Sequence, residues 1–263
     1  MKKYFVIGNP IEHSLSPKLH NHWIKENNID AVYDKKKINV DDIKEIITEV
    51  KNGKINGINI TVPFKKSVIP FLDQLTPLAN ETQSVNTVYK KDNKVIGDNT
   101  DIDGFERALK HINYSVKNKI VFIMGAGGVA PSIVLALKKM GVSKIILTNR
   151  TREKAEDLKR IYNNLEVIDW GETPEFNMII NATSLGLKND DHIKLNYSEV
   201  GSNKLFYDVI YNPEKTNFLM KAKQLRNQTE NGKMMFIYQA HQAFTIWHKI
   251  MPKIDDETIR LLD

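Results

Sequence analysis

Residues 119–141 read "KIVFIMGAGGVAPSIVLALKKMG", and this stretch decides the fold of the second half of the chain. A continuous apolar run predicts a buried strand, glycines predict a turn, and apolar residues then recur at helical spacing. "GAGGVA", residues 125–130, satisfies the G-x-G-x-x-A form through Gly125, Gly127 and Ala130. Gly125 permits a tight turn, Gly127 lets a pyrophosphate approach the backbone, and Ala130 permits close helix packing. Ala126, Gly128 and Val129 complete a candidate cofactor loop, whose helix amides and dipole favour an anion. A plain glycine turn of an α/β domain is the alternative reading.

The next strand ends in "LTNRTREKA", residues 147–155. An NAD site places an acid here to hold the ribose 2′-hydroxyl, whereas this chain has Asn149 and Arg150. A guanidinium fork suits a 2′-phosphate, so NADP is the expected cofactor, with Thr151, Arg152 and Lys154 as supporting contacts. Thr151 is also placed to cap the following helix, with the basic residues facing solvent.

Outward from this unit, "SKIILTNRT", "FNMIINAT" and "KLFYDVIY" supply further buried strands, with helices at 151–163 and 214–225 and a helical end at 233–249 and 255–262. The first hundred residues alternate differently. Strands are expected near 3–8, 31–38 and 55–62, and helices from about 17 and over 41–52, which argues for a parallel-rich α/β sheet. In "GINITVPFKK" (57–66) the alternation sets Ile58, Ile60 and Val62 on one strand face and Asn59 and Thr61 on the other. "TVYKKDNKVIGDNT" (87–100) predicts an antiparallel hairpin around Lys91-Asp92-Asn93, followed by a helix at 102–112.

The chain has 263 residues, enough for two domains, and its 41% hydrophobic and 27% charged content is that of a packed globular protein. The formal charge of +6 is spread through lysine clusters with acids nearby, so a solvated surface is expected rather than a nucleic-acid groove. With no cysteine, disulfides, thiolate nucleophiles and cysteine-ligated metals are excluded. No apolar stretch approaches the ~18 residues of a membrane helix, and the start, "MKKYFVIGNP", has no signal-peptide cleavage site. A cytoplasmic location is the expectation. His13, His20 and His22 cluster in sequence without a metal-binding helix motif, so no metal is expected; His241 and His248 read as packing or surface residues.

"NPIEHSLSPKLHN" (9–21) places Ser14 and Ser16 before Pro17. Ser16 can cap a helix, and two hydroxyls two residues apart can also hold a small carboxylate. Other polar motifs are "NITVPFK" (59–65), "SVNTV" (84–88), "GDNTDIDGF" (97–105), "YNPEKTNFL" (211–219) and "GKMMFIYQAHQAF" (232–244). Together with "HSLSP" and "GAGGVA", in this order and across nearly the whole chain, they resemble the shikimate dehydrogenase family.

The resemblance implies a two-domain α/β enzyme that uses NADPH to reduce 3-dehydroshikimate to shikimate in aromatic amino acid biosynthesis. It implies a substrate domain with a mixed sheet, residues 1–101 and 234–263, and a Rossmann-type NADP domain, residues 102–233, with a cleft between them. Carried over by position, it makes Lys65 and Asp101 the catalytic pair. Ser14 and Ser16 would hold the substrate carboxylate, and Thr61, Asn86, Tyr211 and Gln239 its ring and hydroxyls. "NATSLG" (181–186), with Thr183, would pass near the cofactor, and Gly232 and Met235 would lie beside the nicotinamide. Gln83-Ser84 and Lys233-Met234 depart from the family's smaller residues and bear on rate and affinity. The expected partner is a small molecule, with neither nucleic acid nor membrane, and the chain a monomer or homodimer. An NAD-using quinate/shikimate dehydrogenase shares most of these motifs, and a noncatalytic NADP-binding regulator shares the fold.

Overall fold

A computed structural model describes residues 1–188 and 190–263, which divide into two compact units: 1–104 with 237–263, and 105–236. Each division falls three residues beyond the one the sequence suggested, inside a helix rather than at its start.

The first unit contains β1 (Lys2–Gly8), α1 (Ser16–Glu26), β2 (Ala31–Lys37), α2 (Ile43–Lys51), β3 (Gly57–Ile60), β4 (Gln74–Leu75), α3 (Pro77–Thr82), β5 (Thr87–Lys91), β6 (Lys94–Asp98) and the start of α4 (Asp101–His111). Its sheet runs β2-β1-β3-β5-β6-β4. The first three strands are parallel, β5 is antiparallel to β3 and β6, and β4 runs parallel to β6, which makes the sheet mixed. Asp92 and Asn93, at φ 49° and 60°, make the two-residue reversal of the β5–β6 hairpin, as residues tolerant of the left-handed region can.

All four residues of β3 are buried, so the strand is covered on both faces. On one face Ile58 and Ile60 join Ile43, Ile46, Ile47 and Val50 of α2 and Phe64 and Val68 in a single apolar core. On the other, Trp247 lies so close to Gly57 that a Cβ there would sit 2.4 Å from its Nε1, and that Nε1 donates to Val88 O at 3.2 Å. Val62 departs from the expected alternation and is 59% exposed. The reason is that β3 ends at Ile60: Thr61 N–H still bonds Ile7 O, but Phe64 N–H bonds back to Thr61 O and the chain turns out of the sheet.

The second unit holds the rest of α4, then β7 (Ile120–Met124), α5 (Ala130–Lys139), β8 (Lys144–Thr148), α6 (Arg152–Ile161), β9 (Leu165–Val167), β10 (Met178–Asn181), α7 (Tyr197–Val200), β11 (Leu205–Asp208), α8 (Asn217–Gln224), β12 (Gln228–Glu230) and the start of α9 (Lys233–His248). Its six strands are all parallel, in the order β12-β11-β10-β7-β8-β9. This is the doubly wound order that reverses beside the first strand, where open α/β sheets bind ligands. Strands β7, β10 and β11 are almost wholly buried, which accounts for their unbroken apolar sequences. The end of α9 and α10 (Asp256–Arg260) belong to the first unit.

Two expected helix caps are absent. Ser16 is the first residue of α1, with Leu15 at the cap position, and Ser16 N–H donates to Ser14 Oγ at 3.4 Å. Thr151 occupies the cap position of α6, yet its hydroxyl makes no capping bond.

Candidate active site

In the first unit a salt bridge stands at the centre of a polar network. Lys65 Nζ donates to Asp101 Oδ2 at 2.5 Å, and the two side chains are only 12% and 7% exposed. Lys65 lies in the turn after β3 and is half-buried, while its neighbour Lys66 is exposed. Asp101 is the first residue of α4, where a carboxylate also complements the helix dipole.

Asn86, nearly fully buried before β5, holds the other carboxylate oxygen: its Nδ2 lies 2.9 Å from Asp101 Oδ1, 2.9 Å from Thr100 Oγ1 and 3.3 Å from Gln239 Oε1. Its Oδ1 accepts from Thr100 N–H at 2.8 Å. Behind it, Asn59 Nδ2 donates to Asn86 O and to Thr87 Oγ1, and Asn59 Oδ1 accepts from Tyr33 Oη at 2.7 Å. Asn99 is buried too; its side chain bonds Thr82 and Ser84 and accepts from Asp101 N–H. A buried network of this kind rigidifies its members because each donor and acceptor fixes the next.

The first unit therefore brings Lys65, Asp101, Asn86 and Gln239 into one bonded cluster. Ser14 and Ser16 share a hydrogen bond at the start of α1, and Thr61 packs its methyl against Gly8, where a Cβ would sit 2.5 Å from Thr61 Cγ2. Tyr211 belongs to the second unit, where its ring stacks on Phe236 at 4.3 Å. Sequence reasoning missed Thr87, Asn99 and Thr100; for the last two the signal was an uninterrupted polar run, "DNTD" (98–101), at a helix start, and for Thr87 it was the polar pair Asn86-Thr87 between valines.

In the second unit the glycine turn follows β7 and opens α5. Gly125 has φ +108°, and a Cβ would lie 2.7 Å from Ala182 O and 2.9 Å from Thr183 Cγ2, so only glycine fits. Gly127 is the opposite case: a Cβ there would meet nothing within 4 Å, leaving its backbone open to a ligand. These two features, beside the amino end of α5, fit a dinucleotide pyrophosphate.

Asn149 Oδ1 accepts from Ala126 N–H at 3.0 Å and its Nδ2 donates to Thr151 O at 2.8 Å, so this side chain ties the glycine turn to the end of β8. Arg150 and Lys154 are exposed, and neither has an ion-pair partner among the described residues. Arg152, by contrast, is paired with Asp169 and Glu156. Gly232 N–H donates to Ile210 O at 3.1 Å and Met235 is buried. The histidines pack: His20 stacks on Tyr33 at 4.1 Å, His241 Nε2 bonds Pro252 O, and His248 lies against Tyr4 and Phe244.

A six-stranded parallel sheet with an open glycine turn, together with a largely buried lysine–carboxylate pair, defines a dinucleotide-dependent oxidoreductase of the α/β class. Residues 6–88 match the model of the shikimate dehydrogenase substrate binding domain, and residues 106–188 match that of shikimate / quinate 5-dehydrogenase. The chain is 58% identical to the NADP(+) shikimate dehydrogenase of Pelagibacter ubique, with both chains covered completely. Among solved structures, the shikimate dehydrogenase of Aquifex aeolicus aligns with a TM-score of 0.91 at 36% identity, covering 100% of this chain and 97% of that one. A shikimate dehydrogenase in complex with NADP+ aligns with a TM-score of 0.93 at 33% identity, covering 100% and 94%. The chain belongs to the shikimate dehydrogenase family.

Proposed function

We propose that this enzyme catalyses the reversible, NADPH-dependent reduction of 3-dehydroshikimate to shikimate, with Lys65 as acid/base and Asp101 as its orienting partner. The observation that carries the proposal is the Lys65–Asp101 contact of 2.5 Å, held from behind by Asn86. NADPH, when bound, supplies a hydride to the carbonyl carbon of the substrate. The electron pair displaced onto the carbonyl oxygen is met by the Lys65 ammonium, which stabilises the charge and donates a proton to it. In the reverse direction Lys65 Nζ takes the hydroxyl proton. Asp101 keeps Nζ on one line of approach, because its own second oxygen is committed to Asn86.

Ser14 and Ser16 are assigned to the substrate carboxylate, and Thr61, Asn86, Tyr211 and Gln239 to its ring and hydroxyls. Gly125 to Ala130 are assigned to the pyrophosphate, Arg150 and Lys154 with Asn149 and Thr151 to the 2′-phosphate, and Thr183, Gly232 and Met235 to the nicotinamide end. The unpaired state of Arg150 and Lys154 supports the phosphate assignment, since an arginine already neutralised, like Arg152, gains less from an anion. The reading assigns residues 1–101 and 234–263 to substrate and 102–233 to NADP. It also carries a cytoplasmic location and a monomeric or homodimeric state.

Replacing Lys65 by methionine keeps the length and removes the proton. Turnover should fall on the order of a hundredfold or more, as for other positioned acids and bases; near-normal kcat would sink the assignment. Initial rates with shikimate and with quinate, each with NADP+ and NAD+, test the specificity. Shikimate with NADP+ should dominate, and activity confined to quinate with NAD+ would defeat the reading. Tight NADP+ binding with no turnover would mark the protein as a regulator instead.

A further inference from the structure

Asp208 is the last residue of β11, completely buried, and the chemistry above makes no use of it. Its partners are neutral donors. Oδ1 accepts from Asn181 Nδ2 at 3.0 Å and from Ile210 N–H at 3.1 Å, and Oδ2 accepts from Thr216 Oγ1 at 2.6 Å. Burial pushes its pKa up to about 6 against the lowering by these bonds, in order Thr216, Ile210 and Asn181.

A carboxylate only accepts, so it orients the Asn181 amide with Nδ2 towards Asp208. That Nδ2 also donates to Leu185 O at 2.9 Å. Asn181 Oδ1 is thereby turned to Thr183, accepting from its N–H at 3.1 Å and from its Oγ1 at 2.7 Å. Thr183 Oγ1 in turn accepts from Leu185 N–H at 3.0 Å, which closes the 182–185 turn. This is the turn that presses on Gly125 with no room for a Cβ.

The other half of the carboxylate acts on the segment after β11. Ile210 N–H is held by Asp208, and Ile210 O accepts from Gly232 N–H at 3.1 Å. Val209 backs Gly232 so closely that a Cβ there would lie 2.1 Å from Val209 O. Thr216, bonded to Oδ2, also caps α8 by accepting from Leu219 N–H. One acid thus joins the ends of β10 and β11, the start of α8 and the backbone beneath Gly232.

We propose that Asp208 is a positioning residue for NADP: through Asn181 it fixes the Thr183 turn against the glycine loop, and through Ile210 it fixes the backbone on which Gly232 rests. The proposal rests on the reading of the second unit as the NADP-binding unit. Neutral bonding without a cation suits this role, because an acceptor-only hub holds its donors in one arrangement.

The test uses the full chain and two variants, Asp208→Asn and Thr216→Val. NADPH dissociation constants are read from its fluorescence, KM and kcat from shikimate oxidation, and folding from Tm. Asp208→Asn should raise the NADPH Kd and the KM for NADP+ about tenfold, with kcat and the shikimate KM changing less than about threefold. Thr216→Val, which keeps the carboxylate and removes one donor, should raise the NADPH Kd about threefold.

A folded Asp208→Asn protein whose NADPH Kd stays within about twofold of the parent overturns the proposal. So does a loss of Tm or active fraction with Kd and KM unchanged. Should Asp208→Asn fail to fold, Thr216→Val decides on the same criterion. If the parent binds NADPH but does not oxidise shikimate, the functional reading fails while the Kd comparison still decides the role of Asp208. If the parent binds no NADPH, the reading of the second unit falls and this proposal with it.

Discussion

Asp101 and Asp208 invite comparison, one in each unit and each receiving a hydrogen bond from a buried asparagine amide, Asn86 in the first case and Asn181 in the second. Their remaining partners differ. Asp101 meets the Lys65 ammonium, whereas Asp208 meets the Thr216 hydroxyl and the Ile210 amide. A carboxylate against a cation sits beside a proton that can leave, and its own geometry sets where that proton goes. A carboxylate among neutral donors offers no such proton and serves only to hold what is bonded to it. Burial alone therefore does not mark a reacting acid; the identity of its donor does.

The same substitution at both sites separates them. Asp101→Asn should lower kcat about a hundredfold with the KM for NADP+ nearly unchanged, because Lys65 loses its orienting charge. That is the opposite split from the one expected of Asp208→Asn. A common kinetic signature for the two variants would erase the distinction. The next effect in size is at the cofactor's far end. Arg150→Ala should raise the KM for NADPH about tenfold and the KM for 3-dehydroshikimate less than twofold, as the loss of one charge-assisted contact to a phosphate predicts. Equal effects on both constants would remove Arg150 from the phosphate site.

The smallest effect is on stability against pH, and it contrasts two buried titratable groups. His20 is enclosed by Tyr33, Trp23, Phe244 and Trp247, its ring nitrogens have no hydrogen-bond partner, and burial with some repulsion from His248 lowers its pKa to about 3. The unfolded chain takes up this proton near pH 6.5 and the folded one does not, so stability contributed at neutral pH is lost as pH falls from about 6.5 towards 3. Asp208 has the reverse sign. Its folded pKa of about 6 lies above the ordinary 3.8, so acidification through that window relieves the cost of burying its charge. Tyr207, Tyr197 and Glu230, all raised, are the titratable groups coupled to this region. Relative to the parent, His20→Phe should gain Tm on going from pH 7 to pH 4.5, and Asp208→Asn should lose it. Parallel shifts in both variants would show that neither group carries the dependence.

Much of this could be read from residues alone where the pattern was periodic or tied to a motif. The β7–turn–α5 unit was legible because an apolar run, a glycine spacing and a helical period coincide over 23 residues, 119–141. The hairpin of β5 and β6 was legible from Asp92-Asn93. Short edge strands were not: β4, β9 and β12 span two or three residues each, too few for any period to show. Val62 escapes the pattern because alternation says nothing about where a strand leaves its sheet.

At the site, the choice of Lys65 over Lys66 came from resemblance, and the burial difference between them appears only in the folded chain. Thr87, Asn99 and Thr100 bond across separations of 13 to 28 residues, a kind of pairing no local pattern displays. Asp208 leaves one trace in the sequence, a single acid within the apolar "LFYDVIY", a pattern that specifies a strand and no more.

The two units also differ in how their chain is assembled. Residues 105–236 form one continuous run, but the first unit is closed only by 237–263. Trp23 Nε1 donates to Lys253 O, Val88 O receives the indole of Trp247, and Gly57 lies flat beneath that same ring. On a ribosome, the contiguous unit can fold while the earlier-made half of the first still lacks its last wall. The order of synthesis and the order of completion are thus inverted, and the sheet face that carries Tyr4 of β1, Tyr33 of β2 and Gly57 of β3 is the surface a nascent chain must keep from aggregating until Trp247 arrives.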